Sequence, residues 1–440
     1  MTTEIAVSNK LGIALATDSA VTISGNGRVK VFDSADKLFE LSSRYPIGVM
    51  INGNMECIGV PWEILVKDFR ESEGMKSRDT VSEWAQHFLG YVQRHPLVEA
   101  AAVSNKYVDW IIRNEIISLQ NDVANSVRKE IFDAASKNRT AQLQNADTLI
   151  SEYFQRRTNV MSAFPVADSL KGITADQVIA RCGVRIEELA KEPLIKLTQT
   201  GLEGFKGIIA QALLRVLPSA SATGVVVAGF GLRETFPAVY AVGVDGRVCK
   251  TMKLSTPIVS LIDASSEGGH VIPFAQTDVI QRLLGGADPR FVQRTCKFIE
   301  QNVGEVVRAI EKSLRTEKIL EEDAANRKEL VLEAVRTLRT QYENETAPEL
   351  RKEFSLEFNR MIAMMPKQEL IEFAEALVGI TAVERKATAD EGTVGGPIDV
   401  AFISKHEGFV WIKRKHYFAK ELNPRYFWRK YGSPSQEAAP

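Results

Sequence analysis

The stretch Thr2-Thr3-Glu4-Ile5-Ala6-Val7-Ser8-Asn9-Lys10-Leu11-Gly12-Ile13-Ala14-Leu15-Ala16-Thr17-Asp18 decides how the chain is read. Residues 4–8 and 11–17 are short, apolar runs rich in strand-forming side chains, split by Asn9-Lys10. That pattern predicts two strands. Working outward, Gly25-Asn26-Gly27 is a turn signal. Residues 38–41 and 47–52 read as two more strands, the second ending at Gly53.

Beyond Pro61 the period changes. Trp62, Ile64, Leu65 and Phe69, then Trp84, Phe88, Leu89 and Val92, recur every three to four residues, which is helical. Asp79-Thr80 and Thr174 are the expected helix caps. Strands return over 224–230, 238–244, 247–254 and 258–263, with Asp245-Gly246 read as a hairpin turn. Helices resume near Thr277, run through a charge-rich stretch from Phe291 to Tyr342, and end in an amphipathic segment over 369–383. The last strands are expected over 398–404 and 409–414.

Strand blocks separated by helical blocks predict an α+β fold rather than a βαβ winding. Each strand block is too small to fold alone. The blocks are therefore expected to meet as two antiparallel sheets, packed face to face, with helices over the outer faces. The core would be split into residues 1–55, 222–275 and 367–415. Helical insertions would occupy 56–221 and 276–366, and an aromatic, basic tail 416–440.

Composition limits the function. The 440 residues carry 55 Lys+Arg against 56 Asp+Glu, so the net charge is −1 and a chain dominated by nucleic-acid or membrane-surface binding is not expected. Apolar residues make up 45%, which excludes disorder as the main state. Cys57, Cys182, Cys249 and Cys296 are widely spaced and point to buried thiols in a reducing compartment. No apolar run is long enough for a spanning helix, and with no basic region followed by an apolar run at the start, no secretory signal is expected. A cytoplasmic location is the expectation. The five histidines show no metal-ligand spacing, and no G-x-x-x-x-G-K-[ST] loop exists. Neither a metal, a cofactor nor an intrinsic ATPase is expected.

The start of the chain holds the candidate chemistry. Thr2 follows Met1, and removal of Met1 would give Thr2 both a hydroxyl and a free α-amine. A threonine hydroxyl needs a base, and its own amine can serve. An α-amine titrates near ~7.7–8.0, which suits that task at neutral pH. Asp18 and Lys37 fit the scheme: a lysine near the amine disfavours its protonated form, and a carboxylate keeps the lysine charged and fixed. Gly53 can bring an unobstructed backbone N–H to an oxyanion.

At these residues the chain resembles the proteasome β-subunit and bacterial HslV type of N-terminal nucleophile hydrolase. The likeness rests on Thr2-Thr3, on Ala16-Thr17-Asp18 sixteen residues after Thr2, on Lys37-Leu38-Phe39, and on Gly53 after an apolar strand. It continues in Val225–Phe230, Ala238–Val242 and Asp245-Gly246, and in Gly395-Gly396-Pro397-Ile398-Asp399-Val400-Ala401 after the last helix. The step from Asp18 to Lys37 is slightly longer than in that family.

The resemblance implies a four-layer αββα sandwich and peptide-bond hydrolysis through an acyl-enzyme on Thr2, acting on a peptide or protein. It implies a further serine, Ser265 or Ser266, and an Asp–Ser pair before the last strand. Asp390 and Thr393 have the mutual spacing of that pair but sit one residue early, whereas Glu391 keeps register and pairs with Val394. It also implies a homo-oligomer and, for folded substrates, a separate ATPase unfoldase. The alternative is a catalytically inactive scaffold of the same fold that binds protein partners, or nucleic acid through the tail. There, cations from Lys413 to Lys430 alternate with Tyr417, Phe418, Tyr426, Phe427, Trp428 and Tyr431.

Overall fold

The computed structural model describes residues 3–25, 28–136, 145–191, 197–219, 221–263, 265, 268–286, 288, 290–299, 302, 329, 333–387, 395–416 and 418–426. The chain is α+β, with antiparallel strand pairing throughout the registers described. It divides into two compact units: Met1–Ser34 with Ile262–Ala401 and Ile412–Pro440, and Ala35–Leu261 with Phe402–Trp411.

In the first unit β1 (Glu4–Asn9) and β2 (Gly12–Thr17) form the expected hairpin, with Glu4 opposite Thr17 and Asn9 opposite Gly12. Every residue of both strands is buried. Both faces are therefore covered, which is why the sequence is apolar at successive positions instead of alternate ones. A ribbon of β3 (Val21–Gly25) and β4 (Arg28–Phe32) follows. This ribbon takes up the extra length between Asp18 and Lys37, where the sequence reading saw only a turn.

The second unit begins with β5 (Leu38–Glu40) and β6 (Ile47–Gly53), then two-residue strands β7 (Glu56–Cys57) and β8 (Val60–Pro61). Helices α1 (Trp62–Ser72) and α2 (Val81–Arg94) come next. Short α3 (Pro96–Glu99), long α4 (Ala101–Ser136), α5 (Ala146–Ser162), α6 (Ala175–Ala190) and α7 (Gln199–Leu214) complete the helical block. Thr80 Oγ1 accepts the Glu83 N–H at 3.1 Å, and Thr174 forms a capping box with Gln177, as the caps predict. Trp62, Phe69, Trp84 and Phe88 are fully buried and share one core with Val49, Ile51, Val225 and Val227 of the sheet.

That sheet runs β11-β10-β9-β6-β5, with β12 also on β10. Its later strands are β9 (Thr223–Gly229), β10 (Ala238–Val248), β11 (Thr251–Leu254) and β12 (Ile258–Leu261). Asp245-Gly246 is not the hairpin turn that the sequence predicts. It lies inside β10, at a register shift between Val244 and Arg247. Gly246 has φ +71°, and a Cβ there would sit 2.3 Å from the Tyr107 ring, so the glycine serves a bulge and a close approach. The chain reverses at Cys249-Lys250 instead, with φ of 49° and 69°. At the other end of β10, the Lys405 ammonium donates to the carbonyls of Gly231 (2.7 Å), Leu232 (3.0 Å) and Glu234 (2.7 Å).

The chain then returns to the first unit. Strand β13 (His270–Ala275), which the sequence reading missed, pairs with β1. It is followed by α8 (Thr277–Leu284), α9 (Ala347–Met364) and α10 (Lys367–Ala387). The final strands are β14 (Asp399–Ser404) and β15 (Gly408–Lys413), whose residues 402–411 count with the second unit, and the five-stranded sheet is ordered β13-β1-β2-β14-β15. Helix α10 buries Leu370, Ala374, Leu377 and Val378 and packs on β1 and β2. Asn9 Nδ2 donates to Ile362 O (3.0 Å) and Met365 O (2.9 Å), which satisfies orphan carbonyls at the end of α9. Among the described residues no helix is long and apolar enough to cross a membrane.

Two outcomes follow from this packing. Trp84→Ala is expected to cost ~3–5 kcal/mol in urea unfolding, by loss of buried area and the cavity left. Burial pushes the Cys57 thiol up to about 12, so almost none of it is thiolate at neutral pH. Iodoacetamide near neutral pH should leave Cys57 unmodified in the native protein and alkylate it once urea has unfolded the chain.

Candidate functional site

In the first unit, Asp18 immediately follows β2 and is 1% exposed. Its Oδ1 accepts the Thr3 N–H at 3.0 Å, and its Oδ2 accepts those of Ala20 (3.3 Å) and Gly395 (3.1 Å). The Asp18 N–H in turn donates to Thr3 O at 3.2 Å. The carboxylate thus holds the residue that follows Thr2. Next to it, the Ser19 N–H donates to Gly395 O (3.2 Å) and the Ser19 hydroxyl to Pro397 O (2.6 Å), which fastens the glycine turn before β14 to the end of β2. Gly396 has φ +77° and lies against Asp33, where a Cβ would come within 2.5 Å of the carbonyl oxygen. Thr3 itself is fully buried, and its hydroxyl has no hydrogen-bond partner among the described residues.

In the second unit, Lys37 immediately precedes β5 and is fully buried. Its carbonyl accepts the Ile51 N–H at 2.8 Å. Gly53 ends β6 two residues beyond Ile51, so Lys37 and Gly53 share one end of the β5–β6 hairpin. Gly53 is exposed and has φ +76°, and a Cβ there would meet Ala222 O at 2.6 Å. Only glycine fits without strain. The Asn54 N–H donates to that same Ala222 carbonyl at 3.1 Å.

The structure therefore groups Asp18 with Thr3 and the Gly395 turn in one unit, and Lys37 with Gly53 in the other. Ser265 sits exposed in a turn of the first unit and donates to Asp263 Oδ1 at 2.7 Å. Thr2, Ser266, Asp390, Glu391, Thr393 and Val394 lie outside the described residues. In the basic tail, Lys413 pairs with Glu375 at 2.5 Å and Lys415 with Asp399, so both ammonium groups have carboxylate partners. Among the described residues no three His, Cys, Asp or Glu side chains converge on a metal site.

One cluster went unread in the sequence. Asp245, Lys253, Tyr107, Ser219 and Ser221 meet beside the Gly53–Asn54 turn. The signals were a lysine inside the apolar strand Thr251–Leu254 and the Ser-Ala-Ser run before β9. Comparison with protein-family models, curated proteins and solved structures returns no match.

Asp18→Asn puts an NH2 where the carboxylate receives N–H donors. It is expected to cost about 3 kcal/mol, since hydrogen bonds to a charged group contribute ~1.5–3 kcal/mol each. Urea unfolding, with hydrogen exchange at Thr3 and Gly395, measures it.

Proposed function

We propose that the protein is a threonine hydrolase of the N-terminal nucleophile type, acting on peptide bonds of a peptide or protein substrate. The observation that carries the reading is the 3.0 Å bond from the Thr3 N–H to the buried Asp18 carboxylate, which ties the residue next to the nucleophile to the acidic residue the chemistry calls for. The buried Lys37 and the left-handed Gly53 at one hairpin end add support. The α+β architecture, with its five-stranded antiparallel sheet, is compatible with the four-layer αββα arrangement that belongs to this proposal.

In this reading Met1 is removed and Thr2 becomes the mature terminus. Its hydroxyl oxygen adds to the scissile carbonyl carbon while the α-amine takes the hydroxyl proton. The amine returns that proton to the departing peptide nitrogen as the C–N bond breaks, leaving an ester on Thr2. Water then adds to the ester, giving up a proton to the amine, and the restored Thr2 oxygen regains it. Lys37 keeps the amine deprotonated, Asp18 holds the strand end, and the Gly53 N–H steadies the negative oxygen. Assembly into a homo-oligomer and delivery of folded substrates by a separate ATPase belong to the same proposal.

A second reading, a scaffold without catalysis, is favoured by one observation: the Ser265 hydroxyl is engaged by Asp263 in an exposed turn. The nucleic-acid version of that scaffold has less support, since Lys413 and Lys415 are paired with carboxylates.

Intact-mass analysis separates the two. The hydrolase should lack Met1 and gain the mass of a threonine-directed electrophilic probe at Thr2. Retention of Met1 on the mature protein overturns the mechanism. Thr2→Ala should lower peptide turnover on the order of a millionfold, as loss of a covalent nucleophile does. For the wild type, kcat/KM should rise with pH through the α-amine pKa, because the deprotonated amine is the base.

A further inference from the structure

The helical insertion reaches the Gly53 turn through a buried charged network of the second unit. Tyr107 on α4, Asp245 in the β10 bulge and Lys253 on β11 are 6%, 8% and 2% exposed. The Tyr107 hydroxyl donates to Asp245 Oδ2 at 2.9 Å. Lys253 Nζ donates to the Tyr107 hydroxyl (3.2 Å) and to Ala212 O at the end of α7 (3.1 Å), and lies 3.6 Å from Asp245 Oδ2. Desolvation moves the lysine below its usual range while Asp245 opposes that shift. The hydroxyls of Ser219 and Ser221, 2.7 Å apart, both reach Asp245 Oδ1, at 2.9 and 2.6 Å.

The two serines belong to the short segment that leads from α7 into β9. The same segment supplies the acceptors for the turn: Ala222 O takes the Asn54 N–H, and Ser221 O takes Asn54 Nδ2 at 3.4 Å. From the far side, the Thr223 hydroxyl donates to Asn54 O at 2.8 Å and accepts from Trp62 Nε1 at 3.1 Å. The left-handed Gly53 stands against Ala222 O, so any shift of the serine segment moves the wall of the turn.

A buried ion pair of this kind adds little stability over an apolar core of the same volume. It does fix one geometry, because each partner has few alternative acceptors. We infer that Asp245 is a positioning residue for the Gly53–Asn54 turn, acting through Ser219 and Ser221, and that Tyr107 makes the setting of this turn depend on helix α4. The catalytic consequence rests on the reading of Gly53 as oxyanion donor. The structural link stands apart from that reading.

The test uses the full chain with both serines replaced, Ser219→Ala with Ser221→Ala, which leaves the Asp245–Lys253–Tyr107 contacts intact. Hydrogen exchange should speed up about tenfold in peptides covering residues 51–56, with β9 and β10 unchanged, as local opening predicts. Replacing both serines by threonine, which retains the hydroxyls, should restore protection. Tyr107→Phe should give the same local loss, which ties the effect to α4. Unchanged protection over 51–56 in the alanine variant, or equal loss across the whole sheet, overturns the inference. With a peptide substrate, kcat should fall about tenfold at constant KM. If the wild type neither turns over peptides nor takes the threonine-directed probe, the hydrolase reading fails, and the exchange result still decides the positioning role.

Discussion

A carboxylate withdrawn from water persists only where protein dipoles replace its lost solvent. Asp18 receives backbone N–H groups from Thr3, Ala20 and Gly395. These donors come from three separate places in the sequence. Satisfying one side chain therefore fixes the first strand, the exit of the second and the glycine turn before β14. The carboxylate thus ties the start of β1, the exit of β2 and the turn into β14 together, and holds the residue after Thr2 in place.

The second unit solves a different problem. A long helical block, α4 to α7, must be held in one orientation against the sheet strands that follow it. Apolar packing supplies the area, through Phe205, Ile209, Leu213 and Val248. The charged contacts at Asp245 supply the direction. Gly246 allows the Tyr107 ring to come down onto the strand, which a side chain at that position would block.

Much of this was legible in the sequence. The hairpin over residues 4–17, the strands ending at Gly53, the caps at Thr80 and Thr174 and the α+β order all follow from period and turn chemistry. Strand β13 was missed because His270–Ala275 contains Pro273 and follows glycines, a combination that local propensity reads as loop. Asp245-Gly246 was misread because the same dipeptide that makes a tight hairpin also fits a bulge, and only the β10–β11 register distinguishes them. At the candidate site, Asp18, Lys37 and Gly53 were readable as residues. Their hydrogen-bond partners were not, because Gly395 is 377 residues from Asp18 and Asn54 is 167 residues from Ser221. No local pattern encodes such distances.

The interleaved units carry a consequence for synthesis. Strand β1 leaves the ribosome early, yet its neighbour β13 begins at His270. The second unit is mostly made by Leu261, but Phe402–Trp411, with Lys405 and its three carbonyl contacts, follows only after residues 262–401. Such long sequence separations slow folding and leave partly assembled sheets exposed. A nascent chain cut off before residue 402 would leave the loop carrying Gly231, Leu232 and Glu234 without its ammonium cap, so the second unit waits on a segment made after most of the first.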